Sequence, residues 1–230
     1  MYLITVEGGD GSGKGEAVRI LASLAKRFAF PTVHVTHEPR RHSELGKLAL
    51  KAVSKGDRTP LEEAGLFAAD RVDHSHTWIR PRLLNGDLVI SDRNIHSSLA
   101  YQGVVGTLGL EQAAKMNSAA MIPYLVIWID CDPAKAMKRI NSGTLRMAGQ
   151  KHEYFETTEI QTKIRAGFKG ILSGELETPA PFSRSTIIGP VLNESGLDEL
   201  EKQLSQILSS FFNSRNEPLN VNRDEVDRHL

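Results

Sequence analysis

The sequence predicts an α/β fold in three layers, with a five-stranded parallel sheet between helices that cover both of its faces. Short runs of aliphatic and β-branched residues alternate along the chain with longer amphipathic stretches. Runs that are apolar throughout are typical of strands buried on both faces, and their alternation with helices favours right-handed βαβ units. The predicted strands cover residues 2–7, 32–36, 88–91, 124–130 and 185–188.

Helices between these strands are indicated by their apolar stripes and by their first residues. Residues 43–54 and residues 197–211 each place their apolar side chains on one helical face. Residues 59–62 form a capping box with proline at the first helical position, and residues 132–133 open another helix with Asp-Pro. Helices of this kind can cover the two faces of the predicted sheet.

The composition limits the possible functions. A chain of 230 residues suffices for one α/β domain, and 28 basic against 28 acidic residues give a formal net charge of zero. No global field therefore draws the chain to a nucleic acid polymer. The N-terminus lacks the basic start of a signal peptide, and no apolar run approaches the roughly 20 residues of a membrane span. The single cysteine, Cys131, excludes an internal disulfide framework, and we expect a cytoplasmic protein without a membrane partner.

The last residues, 214–230, differ from the rest of the chain. They are polar, show no periodicity, and contain Pro218, three asparagines and alternating charges. We expect a polar tail or loosely docked extension, so that a single domain spans residues 1–213.

A glycine-rich loop follows the first predicted strand and leads into a helix. This strand–loop–helix context is that of the Walker A pattern, in which backbone N–H groups converge on phosphates and the lysine reaches the β- and γ-phosphates. A turn that merely joins strand to helix is the alternative, which four glycines and a lysine disfavour. The loop consists of Gly8, Gly9, Asp10, Gly11, Ser12, Gly13 and Lys14.

One position departs from the pattern. Gly15 stands where the pattern has Ser or Thr, whose hydroxyl contacts Mg²⁺. Either Mg²⁺ is held through water and other carboxylates, or metal-dependent catalysis is weakened.

An acid and a base end the third predicted strand. Because ligands of open α/β sheets bind beyond the carboxyl ends of the strands, Asp92 and Arg93 are expected beside the phosphate loop. Asp92 can organise Mg²⁺ or its water, and Arg93 suits bidentate phosphate binding. A surface ion pair at a strand end is the alternative.

From residue 1 to about residue 212 the sequence resembles the thymidylate kinases. The phosphate loop alone identifies only a superfamily, whereas its combination with the other shared segments is far more specific. These segments include Glu38-Pro39, Leu-Phe-Ala-Ala-Asp-Arg at residues 66–71, Ser-Asp-Arg at residues 91–93, and Ser-Ser-Leu-Ala-Tyr-Gln-Gly at residues 97–103.

The resemblance implies a P-loop kinase that transfers the γ-phosphoryl of ATP to dTMP with Mg²⁺, in nucleotide biosynthesis, as a homodimer. It also implies the substrate contacts. Phe67 stacks on the thymine and Arg71 hydrogen-bonds its carbonyl edge, and their spacing of four residues places both on one side of a helix. Arg93 is implied to contact the monophosphate, and Asp10 is implied to lie near the sugar 3′-hydroxyl and the metal. Ser97 and Ser98 are implied to face the base, and Tyr101 the sugar. Glu38 and Gln102 also belong to the implied substrate site.

The catalytic set implied by the resemblance comprises Lys14, Arg93, Asp10 and a lid arginine. One subtype of the family carries an arginine in its P-loop, where this chain has Gly11, so the arginine is expected in a mobile lid at about residues 139–152. Arg146, flanked by glycines, is the best candidate, with Arg139 and Lys151 behind it. A solvated loop charge is the alternative for Arg146.

Two other functions stay open from the sequence. A deoxynucleoside kinase would use Glu38 as the base that deprotonates a 5′-hydroxyl, although residues 67–71 argue against it. A nucleotide-binding regulatory protein, catalytically weak because Gly15 lacks a hydroxyl, belongs to another class.

Overall fold

The computed structural model describes residues 2–142, 157–213, 226, 227 and 229. Within these residues five parallel strands form one sheet in the order β2-β3-β1-β4-β5, and the predicted fold class is confirmed. The strands are β1 (Tyr2–Glu7), β2 (Val33–His37), β3 (Leu88–Asp92), β4 (Leu125–Asp130) and β5 (Thr186–Leu192).

The fifth strand continues four residues beyond its predicted end. Gly189 and Pro190 suggest a break in the sequence, yet both lie within β5. β5 is at the edge of the sheet, where a proline interrupts no central ladder, and the pairing with β4 shifts register between Ile127 and Ile129.

The helices begin largely where their caps predict. The capping box of Thr59 and Glu62 is present, and the carboxylate of Asp132 accepts the N–H groups of Ala134 and Lys135. In the described part of the chain the α-helices are α1 (Lys14–Ala25), α2 (Glu44–Lys55), α3 (Pro60–His74), α4 (Arg80–Leu84), α5 (Ile95–Ser98), α6 (Leu110–Met116), α7 (Pro133–Asn141), α8 (Thr158–Leu172) and α9 (Leu197–Asn213), with π-helical turns at Ser75–Ile79 and Leu99–Val105.

The core lies on both faces of the sheet. Along β4, Leu125, Ile127 and Ile129 pack into one buried cluster with α1 and α9, whereas Val126 and Trp128 pack into a second cluster with α8. Alternate residues of a strand point to opposite faces, so the two clusters form the two halves of a three-layer core. The fully apolar strands are a direct consequence of this double burial.

Three loops meet at the carboxyl edge of this sheet. β3 pairs with β1 on one side and with β2 on the other, and Asp92 aligns with both Val6 and His37. The residues that follow the three strands therefore emerge side by side, as expected for parallel strands.

Part of the predicted tail packs on the opposite end of the sheet. Val226 is fully buried, and the carbonyl of His229 accepts the Ile122 N–H at 2.6 Å. The His229 ring stacks on Tyr124, just before β4, with the ring centroids 3.5 Å apart. These residues are packed more closely than the polar composition of the segment indicates.

No helix in the described part of the chain is long and apolar enough to span a membrane.

Candidate active site

The loop between β1 and α1 has the backbone conformation that its glycines permit. Gly8 and Gly11 have φ angles of 147° and 73°, and a Cβ on either residue would collide with a backbone oxygen, that of Ile129 or of Ala136. α1 begins at Lys14 after Gly13, which offers no side-chain cap. The first N–H groups of this helix can therefore bind an anion, which its dipole also favours.

Two side chains at or beside this loop have buried polar atoms without a hydrogen-bond partner. The Ser12 hydroxyl and Oδ1 of Asp92 are buried without a hydrogen-bond partner, although buried polar atoms are normally paired. The Lys14 amine lies 2.6 Å from the carbonyl oxygen of Gly9, and burial together with nearby Arg93 lowers the pKa of Lys14 to about 8. A hydroxyl, a carboxylate and an amine at a glycine loop fit a phosphate chain with Mg²⁺.

The metal would not be held by a protein cage. In the described ranges no group of three or more His, Cys, Asp or Glu side chains could hold an ion. Mg²⁺ usually keeps several waters and phosphate ligands, so Asp10 and Asp92 would suffice as protein partners if the ion bound here. A Cβ on Gly15 would meet no atom within 4 Å, so packing does not require glycine at this position.

Arg93 is held at the edge of the loop by four acceptors. Its Nη2 donates to the Asp10 carboxylate and, at 3.2 Å, to the Tyr101 hydroxyl. Its Nη1 donates to Ser97 Oγ at 3.1 Å and to the Gly8 carbonyl at 3.3 Å. The Arg93 backbone has a φ of 70°, a left-handed conformation that costs on the order of 1–3 kcal/mol for a residue other than glycine. Such strain is typical of functional positions.

Asp10 is ionised at neutral pH. Burial alone would raise its pKa, but the charges of Arg93 and Lys14 outweigh that effect and lower the pKa to about 2. Tyr101 donates to Oδ2 of Asp10 at 2.9 Å, and Gln161 of α8 does so at 3.5 Å. Gln161 carried no sequence signal, because it lies on an amphipathic helix.

A second arginine is fixed about three turns into α3. Arg71, which is 2% exposed, donates from Nε to Glu38 at 2.6 Å and from Nη1 to Ser98 and Asn117 at 2.8 and 2.5 Å. Glu38 also contacts His74 Nδ1 at 2.9 Å. Burial would raise the pKa of Glu38, but Arg71 and His74 lower it below its ordinary value.

One cavity of about 630 Å³ joins the two arginines. Phe67 and Arg71 line it together, as their helical spacing predicts. Ser97, predicted to face the base, is bonded to Arg93 on the other side, whereas Ser98 is bonded to Arg71. The predicted residues that line the cavity are Asp10, Gly15, Glu38, Phe67, Arg71, Asp92, Arg93, Ser97, Ser98, Tyr101 and Gln102. Arg146 and Lys151 lie outside the described residues.

Arg139 supports the phosphate loop from the side of α7. Its Nη1 lies 3.2 Å from the Gly11 carbonyl and 3.4 Å from that of Ser12, and its Nη2 donates to the Asn193 carbonyl at 2.8 Å. These bonds fix Arg139, near the end of α7, at the phosphate loop. Asn193, just after β5, carried no sequence signal.

Glu7 is a buried acid that belongs to none of the sequence motifs. It ends β1 with no exposed surface, and it accepts the Asn94 N–H at 2.8 Å and the Ser97 hydroxyl at 2.6 Å. Burial raises its pKa to about 7 against the opposing effects of Ser97 and Arg93. A charged residue closing an otherwise apolar strand was the available signal.

A parallel sheet with a strand–loop–helix phosphate site defines the class of P-loop nucleotide-binding proteins. Comparison with known proteins narrows this class. The family model described as thymidylate kinase matches residues 6–178. The chain therefore belongs to the thymidylate kinase family, and the resemblance inferred from the sequence is confirmed.

Individual relatives also support membership of the thymidylate kinase family. The chain is 41% identical to a probable thymidylate kinase of Pyrobaculum calidifontis over 70% of this chain and 78% of that protein. It is 34% identical to a probable thymidylate kinase of Methanococcoides burtonii, over 92% and 98% of the two chains. The crystal structure of thymidylate kinase from Ehrlichia chaffeensis superposes with a TM-score of 0.63 over 90% of this chain and 98% of that one, at 23% identity, and supports the fold.

We predict that Glu7 makes stability depend on pH. Because its pKa is raised from 4.5 to about 7, the folded protein keeps a proton that the unfolded chain loses. The stability that this proton confers is complete below about pH 4.5 and is lost as the pH rises towards about 7. Relative to Glu7→Gln, the free energy of unfolding of the wild type should fall by on the order of 3 kcal/mol across this window.

Urea denaturation of both proteins at a series of pH values measures this difference. Groups that titrate in both proteins cancel in the comparison, since only residue 7 differs. Two curves that stay parallel from pH 4 to pH 8 would show that Glu7 titrates normally.

Proposed function

We propose that the protein transfers the γ-phosphoryl group of ATP to dTMP, giving ADP and dTDP, in nucleotide biosynthesis. The observation that carries the proposal is the single cavity with Phe67 and Arg71 at one end and Arg93 beside the phosphate loop at the other. An aromatic face, a donor fork and a phosphate-binding arginine match the base and the phosphate of one pyrimidine nucleotide. Family membership supports the same substrate.

The donor side is formed by the loop. Residues 8–15 would surround the β- and γ-phosphates with backbone N–H groups, and Lys14 would neutralise part of their charge. When bound, Mg²⁺ would neutralise charge on the phosphate oxygens, with Asp10 and Asp92 holding it through water.

The acceptor side is formed by the cavity. Phe67 would stack on the thymine, Arg71 and Ser98 would bond its edge with Gln102 beside them, and Arg93 would bind the phosphate. Tyr101 and Asp10 would lie at the sugar. Glu38 would act by fixing Arg71, given their 2.6 Å bond.

Two further arginines follow β2, and their surroundings separate their roles. Arg40 is bound to Asp70 through its backbone N–H at 2.8 Å and through Nε at 3.0 Å, and it also reaches Asp73. Arg41 instead lines the cavity. Of the two, Arg41 would be the one to approach the acceptor phosphate.

A phosphate acceptor requires no general base. It is mostly a dianion near neutral pH, because its second pKa is about 6. Catalysis is then positioning and neutralisation of charge on the transferring phosphoryl group. A deoxynucleoside kinase would need Glu38 as a base, and a buried carboxylate held by Arg71 with a lowered pKa is a weak one.

Arg146 completes the proposed catalytic set as the cation of a lid at about residues 139–152. Gly11 leaves the loop without an arginine, and the bonds of Arg139 commit it to that loop. The homodimer, the cytoplasmic location and the absence of a nucleic acid partner stay predictions from the sequence.

An acceptor panel tests the function. With ATP and Mg²⁺, we expect phosphorylation of dTMP to exceed that of thymidine, AMP and GMP at equal concentration, measured as phosphorylated product rather than as ADP alone. Faster reaction with thymidine would establish the deoxynucleoside kinase, and faster reaction with AMP or GMP would overturn the base assignment. Nucleotide binding with no product from any acceptor would establish the regulatory alternative.

Removal of the Arg93 side chain should selectively weaken the binding of dTMP. Each charge-assisted hydrogen bond contributes about 1.5–3 kcal/mol, so Arg93→Ala should raise the Kd of dTMP roughly 10- to 100-fold in calorimetry. Arg93→Lys should recover little, since a single ammonium does not reproduce the fork. Arg80→Ala is the charge-matched control, because Arg80 pairs with Asp227 at 2.6 Å at the far end of the sheet. Equal Kd values for Arg93→Ala and the wild type would remove Arg93 from the phosphate site.

The lid proposal predicts a kinetic defect without a binding defect. A contact made only in the reacting state lowers kcat when it is removed and leaves ground-state affinity nearly unchanged. Arg146→Ala should therefore lower kcat by roughly 100-fold or more, with little change in the Kd of ATP or dTMP. Lys151→Ala is the control. A loss of kcat confined to Lys151→Ala would assign the catalytic cation of the lid to Lys151. Normal kcat in all three variants, Arg146→Ala, Lys151→Ala and Arg139→Ala, would refute the lid mechanism.

A further inference from the structure

Asn94 lies between two buried carboxylates because of the order of the strands. It follows β3, the strand that pairs with β1 on one side and β2 on the other. Glu7 ends β1, and Glu38 directly follows β2. Asn94 has no exposed surface, and Glu7 and Glu38 are 0% and 4% exposed.

Asn94 is bonded to both carboxylates at once. Its backbone N–H donates to Oε1 of Glu7 at 2.8 Å, and its side-chain amide donates to Oε1 of Glu38 at 3.1 Å. Its side-chain oxygen accepts the N–H of Ile95 at 2.8 Å and so caps α5. Both ends of its amide group are thereby fixed.

Each of the two carboxylates holds one arginine of the cavity. Glu38 accepts Nε of Arg71 at 2.6 Å. Glu7 accepts the Ser97 hydroxyl at 2.6 Å, and Ser97 in turn accepts Nη1 of Arg93 at 3.1 Å. One hydrogen-bonded path from Arg71 to Arg93 therefore runs through Asn94. We call the Glu38–Arg71 side the base arm and the Glu7–Ser97–Arg93 side the phosphate arm.

We propose that Asn94 is a positioning residue that sets the separation between the base arm and the phosphate arm. The inference rests on the proposed function, in which these arms bind the two ends of one dTMP molecule. A ligand that reaches both arms gains from their fixed spacing, because no ordering is required when it binds. A ligand that reaches only one arm gains nothing from it.

The distinguishing quantity is therefore the ratio of the Kd of thymidine to the Kd of dTMP. Thymidine carries the base and sugar without the phosphate, so it uses the base arm alone. Asn94→Ser is the informative variant, since serine can still cap α5 but is too short to replace the amide that bridges to Glu38. Asn94→Ala removes the cap as well and serves as the second variant. Calorimetry gives both constants, and thermal unfolding confirms that each variant is folded.

Asn117→Ala is the matched control. Asn117 is a buried asparagine that accepts Arg71 Nη1 at 2.5 Å, and it has no bond to the phosphate arm in the described structure. Removal of the Asn117 side chain should weaken the binding of thymidine and of dTMP by the same factor. The ratio of the two Kd values should therefore stay unchanged.

For Asn94→Ser we expect the ratio to fall about tenfold, with the Kd of thymidine within threefold of the wild type. The KM of dTMP should rise by a similar factor while the KM of ATP stays within twofold, because Arg139 supports the ATP loop independently. An unchanged ratio of Kd values, or an equal loss of affinity for both ligands as in Asn117→Ala, would overturn the proposal. Asn94 would then have a purely structural role. A wild type that binds thymidine as tightly as dTMP would instead refute the proposed function on which the inference rests.

Discussion

Charged side chains buried at the carboxyl ends of the central strands are the constraint on which the site depends. Glu38, Arg71 and Lys14 are each at most 6% exposed. A buried charge that loses its partner costs on the order of 3–5 kcal/mol, so each must be met by an opposite charge or by hydrogen-bond partners. The bonds that satisfy this requirement leave few alternative positions for the side chains, and the arms of the cavity are ordered before a ligand arrives.

Backbone geometry also restricts the positions of the groups at the site. Arg93 adopts a left-handed conformation, which its N–H stabilises through a 3.0 Å bond to the Val6 carbonyl. Gly8 passes so close to the backbone of Ile129 that no side chain fits. The loop and the arginine are thus tied to adjacent strands of a rigid sheet. Groups held in this way need little reorganisation during reaction, which is the main protein contribution to phosphoryl transfer.

The sequence predicted the sheet well, because strands buried on both faces form nearly continuous apolar runs. Phe67 and Arg71 line one cavity as their helical spacing indicates, and several residues named by the family resemblance line it with them, while their roles stay predictions. The sequence could not give the connection between them. Asn94 touches Glu7 and Glu38 only because β3 lies between β1 and β2. Strand order is a property of the fold, and a single polar residue after a strand carries no periodic signal.

The charge state of these groups also separates the possible reactions. Transfer to a hydroxyl requires a carboxylate that faces the ligand and accepts a proton near neutral pH. Asp10 faces the cavity, but Arg93 and Lys14 lower its pKa to about 2 despite burial. Glu38 also lines the cavity, with a pKa lowered by Arg71 and His74 against the effect of burial. Glu7 has a pKa of about 7, yet it is fully buried behind Ser97 and does not line the cavity. Asp10 and Glu38 are thus arranged to bind arginines, which suits the proposed acceptor, an anion that needs no base.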